Sequence, residues 1–340
     1  MSTSAELQNT RLWMLMVVLL GWMSCCVRAS WGVVTSEGET VSSSSRLATT
    51  DGMPVQIHWK RWSAASPTST PPPRLVLFHH GWNGDLGTFA ATAEKLAATG
   101  RFSCVAFDAR GTGASSRPPH ERDHSLPHLL SDVIAVADFH WGPDSQFVYV
   151  GHSMGGMIGF AMGLWHSSRV EKLVLVAPAP SGGLGGFPEQ QYRDGLSKWR
   201  RAKAGDQTSF NQLVKETVDR MPVVPGRPAE ECQALARSDV ERRLKASDGH
   251  YAGCWTMMKG FDESSKLNRI TVPALIVSGA HDSLLKANTA DAKALKRGSR
   301  HVVIPHAGHN VHGDQPQRFM AALLQFLDPS IPIVELDIIT

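Results

Sequence analysis

The sequence predicts an α/β protein with a mostly parallel central sheet that carries helices on both faces. Short, fully apolar segments of strand length recur along the chain, and stretches with helical character separate most of them. Strands that are buried on both faces are apolar throughout, and parallel neighbours need a crossover connection, usually a helix. The 340 residues, 42% of them hydrophobic, are enough for one large domain or for one domain with an insertion.

The N-terminus carries a separate signal. Arg11 precedes an uncharged apolar run over residues 12–27, which is shorter than the ~20 residues that span a bilayer. A basic residue, an apolar core and a small-residue boundary at Ala29 indicate a signal peptide over residues 1–29, and hence a secreted or lumenal protein. Two alternatives stay open: an uncleaved signal anchor that associates with the membrane through residues 12–27, and an extension with no targeting role.

The folded core is expected to begin at Leu47, after a Ser-rich linker over residues 30–46. The segment Val55–Lys60 alternates apolar and polar side chains, as a half-buried strand does. Four apolar strands follow, and they are Leu75–Phe78, Cys104–Phe107, Phe147–Val150 and Leu173–Val176. The helices predicted between them are Leu86–Ala98, Leu126–Phe139 and Met157–Trp165. Residues 47–180 are therefore predicted to form the first part of the core.

Segment 181–261 interrupts this alternation. It opens with a glycine-rich stretch, is rich in charged and helix-forming residues, and is predicted to be a helical insertion. The alternation resumes in residues 262–328, the second part of the core, and residues 329–340 are predicted to be a tail. The elements predicted in the second part are the strands Ala274–Val277 and Val302–Ile304 and the helices Lys286–Lys296 and Gln317–Leu327.

Charge and cysteine content limit the classes of partner. Lys and Arg number 34 and Asp and Glu 31, and the net charge of +3 is too small to indicate nucleic acid binding. No two cysteines have the spacing of a structural zinc site with histidines, so no metal is expected. Cys104 lies in a predicted buried strand. Cys232 and Cys254 flank one segment and are expected either to pair in an oxidising compartment or to stay free.

The segment Gly151–Gly156 (Gly-His-Ser-Met-Gly-Gly) directly follows a predicted strand and precedes a predicted helix. A serine on such a sharp turn presents its hydroxyl at the edge of the sheet, and the glycines leave room for the turn. The helix N-terminus adds backbone N–H groups that favour negative charge. Ser153 is therefore the predicted nucleophile, in preference to an ordinary glycine-rich turn.

A serine needs a base to become a nucleophile, and the base needs an orienting carboxylate. His309 follows the last predicted strand and Asp282 follows the strand before it, so both are expected at the same sheet edge as Ser153. The chain order Ser, Asp, His is that of a known triad class. The competing interpretation of Asp282 is a solvated loop aspartate. Three nearby histidines compete for the role of base, namely His301, His306 and His312.

Two backbone N–H groups are expected to form an oxyanion hole. One belongs to Met154, directly after the nucleophile, and the other to Trp82, in the His-His-Gly-Trp loop after strand Leu75–Phe78. The alternative for His80 in that loop is a turn histidine that packs locally. The turn Asp108–Ser115 lacks the Lys-Ser/Thr ending of a phosphate loop and is predicted to be structural.

From about Leu47 to Leu327 the chain resembles the α/β-hydrolase superfamily. The similarity rests on His80-Gly81, the Asp-x-Arg-Gly-x-Gly-x-Ser turn at Asp108–Ser115, the Gly-His-Ser-Met-Gly-Gly segment, Asp282 and Gly308-His309. The resemblance implies an α/β-hydrolase fold with a cap over the active site formed by residues 181–261. Haloalkane dehalogenases and many epoxide hydrolases are similar too, but they use an aspartate where this chain has Ser153.

The predicted function is that of an esterase or lipase-like serine hydrolase, which acts on a small-molecule or lipid-like acyl substrate through an acyl-enzyme and needs no cofactor. An acyltransferase or thioesterase with the same residues is one competing hypothesis. The spacing from His309 to Asp314 resembles that of some lipid-acting members with acyltransferase activity, although Asp314 alternatively caps the last helix. The second competing hypothesis is a non-enzymatic binding protein on a hydrolase scaffold. Four apolar residues are expected either to line an acyl pocket or to form the core of the cap: Trp255, Met257, Met258 and Phe261.

Overall fold

The computed structural model of the chain describes residues 28–30, 33–41, 49, 52–65, 72–296 and 298–330. Nine strands form one sheet in this part of the chain: β1 (Arg28–Ser30), β2 (Val33–Val41), β3 (Gln56–Ala64), β4 (Arg74–His79), β5 (Phe102–Phe107), β6 (Phe147–His152), β7 (Val170–Val176), β8 (Ala274–Gly279) and β9 (Arg300–Ile304). Their order is β1-β2-β3-β5-β4-β6-β7-β8-β9. The strands from β5 to β9 in this order pair in parallel, and β1 to β3 extend the sheet in antiparallel pairs. The predicted fold class is confirmed.

Ten α-helices accompany the sheet in the described residues: α1 (Ala90–Ala98), α2 (Leu126–Trp141), α3 (Met154–Trp165), α4 (Glu189–Lys203), α5 (Gln207–Asp219), α6 (Ala229–Arg243), α7 (Asp248–Gly260), α8 (Leu285–Ala294), α9 (Val311–Asp314) and α10 (Pro316–Leu327). Short 3₁₀ helices lie at Leu86–Phe89, Glu121–His124 and Ser264–Arg269. None of the helices in the described ranges has the length and apolar character to cross a bilayer.

The parallel strands separate two hydrophobic layers because successive side chains of a strand point to opposite faces. In β4, Leu77 packs in the layer that contains α2 and α3, whereas Val76 and Phe78 pack in the layer that contains α1 and α10. All three side chains are completely buried. Burial on both faces explains why the sequence of this strand is apolar without alternation.

Segment 181–261 contains α4 to α7 and leaves the sheet between β7 and β8. Its two ends meet, because the backbone N–H of Glu263 donates to the carbonyl oxygen of Ser181 at 2.8 Å. The segment has small apolar clusters of its own, one around Trp199 and one around Val214. Because its two ends lie together, the segment can be inserted between β7 and β8 without changing the order of the parallel strands. The strand pattern therefore resumes at β8.

The linker predicted over residues 30–46 is wrong for most of its length. Val33–Val41 forms β2, which pairs along its whole length with β3. The segment contains serine, threonine and glutamate, and only pairing with β3 makes it a strand; Val33, for example, is 1% exposed. The apolar run 12–27 and residues 331–340 of the predicted tail lie outside the described residues. The pairing considered for Cys232 and Cys254 is also absent, since both are free thiols on α6 and α7.

Candidate active site

Ser153 lies between β6 and α3 on a strained turn. Its backbone has φ 52° and ψ −111°, a combination that costs a residue other than glycine about 1–3 kcal/mol. The surrounding structure holds this conformation: the Ser153 N–H donates to Val176 at 2.9 Å, and the Ser153 carbonyl accepts from Ala179 at 2.9 Å. Both partners belong to the end of β7 and the loop after it. The neighbouring strand therefore fixes the turn, and Ser153 remains partly exposed.

The glycines of this turn are required by close backbone approaches. A Cβ at Gly151 would lie 2.2 Å from the carbonyl oxygen of Gly155, and a Cβ at Gly155 would lie 2.5 Å from that of His79. Cβ atoms do not approach other atoms so closely, so a side chain at either position would push α3 away from β6 or from the loop after β4. The Gly-x-Ser-x-Gly pattern is thus explained by the geometry of the turn.

Ser153, His309 and Asp282 form a continuous hydrogen-bonded series. His309 Nε2 lies 2.9 Å from Ser153 Oγ, and His309 Nδ1 lies 3.1 Å from Asp282 Oδ2. Asp282 also accepts from the Leu284 N–H at 3.0 Å, and its side chain is 0% exposed, whereas that of His309 is 40% exposed. The carboxylate is held in place and the ring faces the accessible side. The topology argument therefore predicted correctly that these three residues come together.

The three competing histidines occupy other positions. His306 is exposed at a turn, and His301 bonds to Ser278 at 3.0 Å. His312 is half-buried and packs against the rings of Phe89 and His152, each at 4.9 Å, and desolvation lowers the pKa of His312 to about 3. A ring that stays neutral throughout the ordinary pH range and packs among aromatic rings is a core residue rather than a base.

Two residues whose supporting roles the sequence did not reveal hold the loop that carries His309. His152 is buried, and burial lowers the pKa of His152 well below its usual value, so the neutral ring donates from Nε2 to the carbonyl of His309 at 3.0 Å. Asp314 accepts from the Gly308 N–H at 2.8 Å and lies 3.6 Å from the guanidinium of Arg227. The proposed capping role of Asp314 is wrong, because α10 begins at Pro316 and Gln315 is its N-cap. The sequence signal for both residues was their position beside the motif residues.

The loop after β4 lies against the nucleophile. A Cβ at Gly81 would be 3.1 Å from the Cβ of Ser153, so the residue directly before Trp82 is in close contact with the nucleophile residue. Met154 begins α3, and the first N–H groups of a helix have no partner within the helix. Met154 is therefore adjacent to Ser153 and Trp82 follows the glycine that contacts it, and the role of the two N–H groups in an oxyanion hole stays a prediction.

His80 and the turn Asp108–Ser115 stabilise this loop. The Ala109 N–H donates to His80 Nε2 at 2.9 Å, so the ring carries its hydrogen on Nδ1 and donates to the Gly81 carbonyl at 2.7 Å. Asp108 accepts from the Leu86 N–H at 2.7 Å and from the Ala114 N–H at 2.9 Å. These bonds support the structural interpretation of the turn and the local packing of His80.

Aromatic side chains of segment 181–261 lie beside Trp82. Its indole N–H donates to the carbonyl of Tyr251 at 3.1 Å, and its ring lies 5.7 Å from that of Trp255. Trp255 in turn stacks on Tyr192, with ring centroids 4.6 Å apart. The side chain of Trp82 therefore connects the loop beside Ser153 to α7.

Of the four apolar residues proposed for a pocket or for the cap core, Trp255, Met258 and Phe261 are buried in the main core. A cavity of about 630 Å³ is lined by Met257 and Phe261 together with Leu126 and Glu263. Neither Ser153 nor His309 lines this cavity. Three of the four residues are thus packed as core, and Met257 and Phe261 face a cavity that neither Ser153 nor His309 lines.

Comparison with known proteins identifies the fold family of the chain. Residues 74–316 match the family model described as the alpha/beta hydrolase fold. The chain is 28% identical over 262 residues to the pimeloyl-[acyl-carrier protein] methyl ester esterase of Vibrio cholerae, which covers 74% of this chain and 93% of the relative. A hydrolase from Pseudomonas aeruginosa superposes with a TM-score of 0.65 at 25% identity, covering 85% of this chain and 98% of that one. A thermophilic esterase from Thermogutta terrifontis gives 0.67 at 21%, covering 86% and 98%.

Proposed function

The chain belongs to the α/β-hydrolase fold family and is a hydrolase of that family, and from this premise we propose that it is a serine hydrolase of carboxylic esters or related acyl compounds. Ser153 is the proposed nucleophile, His309 the base and Asp282 the residue that orients the base. The observation that carries the proposal is the 2.9 Å contact between His309 Nε2 and Ser153 Oγ, made on a strained turn. A purely structural serine gains nothing from strain of this kind.

The proposed reaction has two acyl-transfer steps. His309 takes the proton of the Ser153 hydroxyl while Oγ attacks the carbonyl carbon, and the N–H groups of Trp82 and Met154 stabilise the oxyanion. The protonated His309 then gives that proton to the leaving alcohol, and an acyl-enzyme remains. In the second step a water molecule loses a proton to His309 and attacks the acyl carbon. The bond between the acyl carbon and Ser153 Oγ then breaks, His309 returns its proton to Oγ, and the acid and the free serine are released.

Asp282 supports this cycle electrostatically. Its side chain has no exposed surface, and its contact with His309 Nδ1 fixes the tautomer in which Nε2 carries the lone pair that accepts the serine proton. The imidazolium that forms during the reaction is stabilised by the carboxylate. The positions of Asp282 and His309 after adjacent strands β8 and β9 explain how two loops reach the same point.

The aromatic group beside Trp82 supports an apolar substrate. Phe187 is 37% exposed and lies 5.0 Å, ring to ring, from Trp255, which stacks on Tyr192. This aromatic surface continues to Trp82 in the loop after β4, and aromatic surface that reaches the loop of an active site favours substrates with an apolar acyl or alcohol part. We propose that segment 181–261 is a cap that selects such small-molecule or lipid-like substrates.

Replacement of Ser153 by Ala tests the proposal. Loss of the nucleophile is expected to lower the turnover of a p-nitrophenyl ester on the order of 10⁴–10⁶-fold and to abolish labelling by a fluorophosphonate probe. Ser264→Ala is the matched control, because Ser264 is an exposed serine that bonds to Asp262. Near-normal hydrolysis by Ser153→Ala, with circular dichroism unchanged, would refute the assignment.

Acyl transfer to an alcohol and thioester hydrolysis are the alternatives that use the same residues. The carboxylate of Asp314 is engaged with the Gly308 N–H, so the His-x4-Asp spacing is accounted for by support of the loop. Product analysis with and without added alcohol separates the hypotheses: a hydrolase releases the free acid in both cases, whereas an acyltransferase yields the new ester in preference to the acid.

Secretion or lumenal delivery through residues 1–29 is a further proposal, supported by Arg11 and the apolar run that follows it. N-terminal sequencing of the protein from its native host tests it. A mature terminus near Ser30 supports cleavage, an intact Met1 in the membrane fraction supports an anchor, and an intact Met1 in the soluble cytosolic fraction excludes both.

A further inference from the structure

Three buried side chains outside the proposed active site form a group with the composition of a metal site. His124, His250 and Cys254 each place one ligand-type atom within 4.8 Å of those of the other two, and all three residues are buried. His124 ends the 3₁₀ helix before α2, and His250 and Cys254 belong to α7. The group therefore joins segment 181–261 to the core.

The sequence explains how this group forms. His250 and Cys254 are four residues apart, so they share one face of α7. Glycines on the same helix let it approach the core closely: a Cβ at Gly253 would lie 2.4 Å from the carbonyl oxygen of Glu121 and 2.8 Å from the Cβ of His124. The close approach brings His124 against the face that carries the other two residues.

Hydrogen bonds fix the protonation of both imidazoles and leave one nitrogen of each without a partner. His124 Nε2 donates to the Pro118 carbonyl at 3.0 Å, and His250 Nδ1 donates to the Arg110 carbonyl at 2.8 Å. Neutral imidazole has one N–H, so His124 Nδ1 and His250 Nε2 each present a lone pair. Both atoms are buried, and neither has a hydrogen-bond partner in the part of the chain that the structure describes, which is unfavourable for a polar atom.

This pattern is the one that metal-binding histidines show. A ligating histidine donates its second ring N–H to a carbonyl or carboxylate, which orients the free nitrogen toward the ion. Cys254 supplies the sulfur, and its Sγ contacts the His250 ring, 3.5 Å from Nδ1. Nδ1 is the nitrogen that donates to the Arg110 carbonyl, so Nε2 of the same ring is the atom left to bind an ion. Donor atoms around a bound ion are roughly 3.5 Å apart, given bonds of about 2.0–2.3 Å. The side chains must therefore draw together by about an ångström when an ion binds.

We propose that His124, His250 and Cys254 form a buried site for one soft monovalent metal ion of the Cu(I) class, which fastens α7 to the core. Ligand softness and charge select this class. Thiolate and imidazole favour Cu(I) or zinc, but one thiolate with two neutral rings balances a single positive charge. A divalent ion would leave a net charge in a dry interior, where charge is costly.

The surroundings of the site carry charges of both signs. Arg110 lies next to the site and is fully buried, with its charge balanced by Asp132 at 2.6 Å. The Asp123 carboxylate is also buried and acts electrostatically on His124, so the parallel titration with Zn²⁺ is the decisive comparison for the charge argument. Binding needs no redox partner: the S–H bond of Cys254 breaks, the proton leaves to solvent, and the ion, already monovalent, bonds to sulfur. Because Tyr251 on the same helix accepts from Trp82, the ion is expected to stiffen the attachment of α7 beside the proposed oxyanion loop.

The test titrates the full chain anaerobically with Cu(I) against a chromogenic Cu(I) chelator, and measures bound metal and Tm. Cys25 and Cys26 are adjacent thiols and are replaced by Ser throughout. We expect one equivalent of Cu(I), a raised Tm, and an X-ray absorption spectrum with one sulfur and two nitrogen neighbours. Zn²⁺ is titrated in parallel, and tighter binding of Zn²⁺ than of Cu(I) would overturn the charge argument.

Cys254→Ala and His250→Gln are each expected to lose the bound equivalent and the rise in Tm. Cys104→Ala is the matched control, because Cys104 is equally buried, in β5, and should leave binding unchanged. Retention of the equivalent by both site variants, or no binding by the parent protein, refutes the site. If Cys254→Ala does not fold by circular dichroism, Cys254→Ser provides the same comparison, since a hydroxyl is a poor ligand for a soft ion.

Discussion

The ion pair between Arg110 and Asp132 offers a quantitative test of how the core supports the site. The two side chains are 0% and 1% exposed, and they share two contacts of 2.6 Å. Arg110 also donates to the Asp123 carbonyl at 2.8 Å. The perturbation is Asp132→Asn, which removes the negative charge, keeps the shape and leaves the guanidinium buried without its counter-ion.

The magnitude follows from burial. Removing one partner of a buried pair costs about 3–5 kcal/mol, because the remaining charge stays in a medium of low dielectric. Replacing both by apolar residues is often nearly neutral, but here Arg110→Met/Asp132→Leu also leaves the Asp123 carbonyl without this donor, at about 1–3 kcal/mol. The double variant should therefore lose less stability than the sum of Arg110→Met and Asp132→Leu measured singly, with a coupling of roughly 3 kcal/mol or more.

Urea unfolding, followed by circular dichroism and tryptophan fluorescence, measures these free energies if the two probes coincide. Asp138→Asn is the matched control on the same helix. Asp138 pairs with Arg169 at 2.7 Å, but the two side chains are 29% and 14% exposed, so a loss nearer 1 kcal/mol is expected. If Asp132→Asn costs no more than Asp138→Asn, or if the two losses at Arg110 and Asp132 simply add, burial does not determine the strength of this pair.

Three further outcomes are expected. Asp282→Asn should lower kcat on the order of 10⁴-fold while Tm changes little, because it favours the wrong tautomer of the base; a large fall in Tm with kcat intact in the folded fraction would contradict the orienting role. A chain that starts at Ser30 should fold and hydrolyse esters, whereas one that starts at Leu47 lacks β2 and should show a lower Tm or aggregate; equal Tm values would refute the contribution of β2. The hydrogen bond to Asp108 raises the pKa of His58 in the folded protein above its usual value of about 6.5. The pair therefore stabilises the fold fully below pH ~6.5, and this stabilisation is lost as the pH rises through the pKa of His58 in the folded protein. The Tm deficit of His58→Gln should shrink from about pH 6 to about pH 9, and a constant deficit would count against this linkage.

Local patterns were enough to predict the parallel part of the fold. The run Leu75–Phe78 is apolar because β4 is buried on both faces, and its neighbours show the same pattern for the same reason. β2 was missed because its residues are polar and its stability comes from pairing with β3, for example between Val33 and Ala64. A strand of this kind has no local apolar pattern to detect. Gly38 adds to the difficulty, since its missing side chain is the space that Trp59 occupies.

The site was predictable to the extent that topology determines it. Parallel strands end at one edge, so the loops after β6, β8 and β9 had to converge, and Ser153, Asp282 and His309 followed from their positions in those loops. The supports of His309 were not predictable in this way. His152 and Asp314 act through bonds to backbone atoms, and any polar residue near the loop fits such a role from sequence alone.

Contacts between segment 181–261 and the core are the hardest to predict from the sequence. They join residues that are far apart in the chain, and the order of the strands does not determine which of these residues meet. Trp82 meets Tyr251, and His124 meets His250, although each pair is separated by more than a hundred residues. Both contacts depend on how closely α7 approaches the core, which is set by Gly249 and Gly253 through the absence of side chains. Glycine in a helix lowers its stability by about 1 kcal/mol relative to alanine. Two glycines lie on one face of α7, so packing of this helix against the core must stabilise the fold by more than the glycines destabilise the helix. The proposed metal site and the proposed oxyanion loop both depend on this close packing.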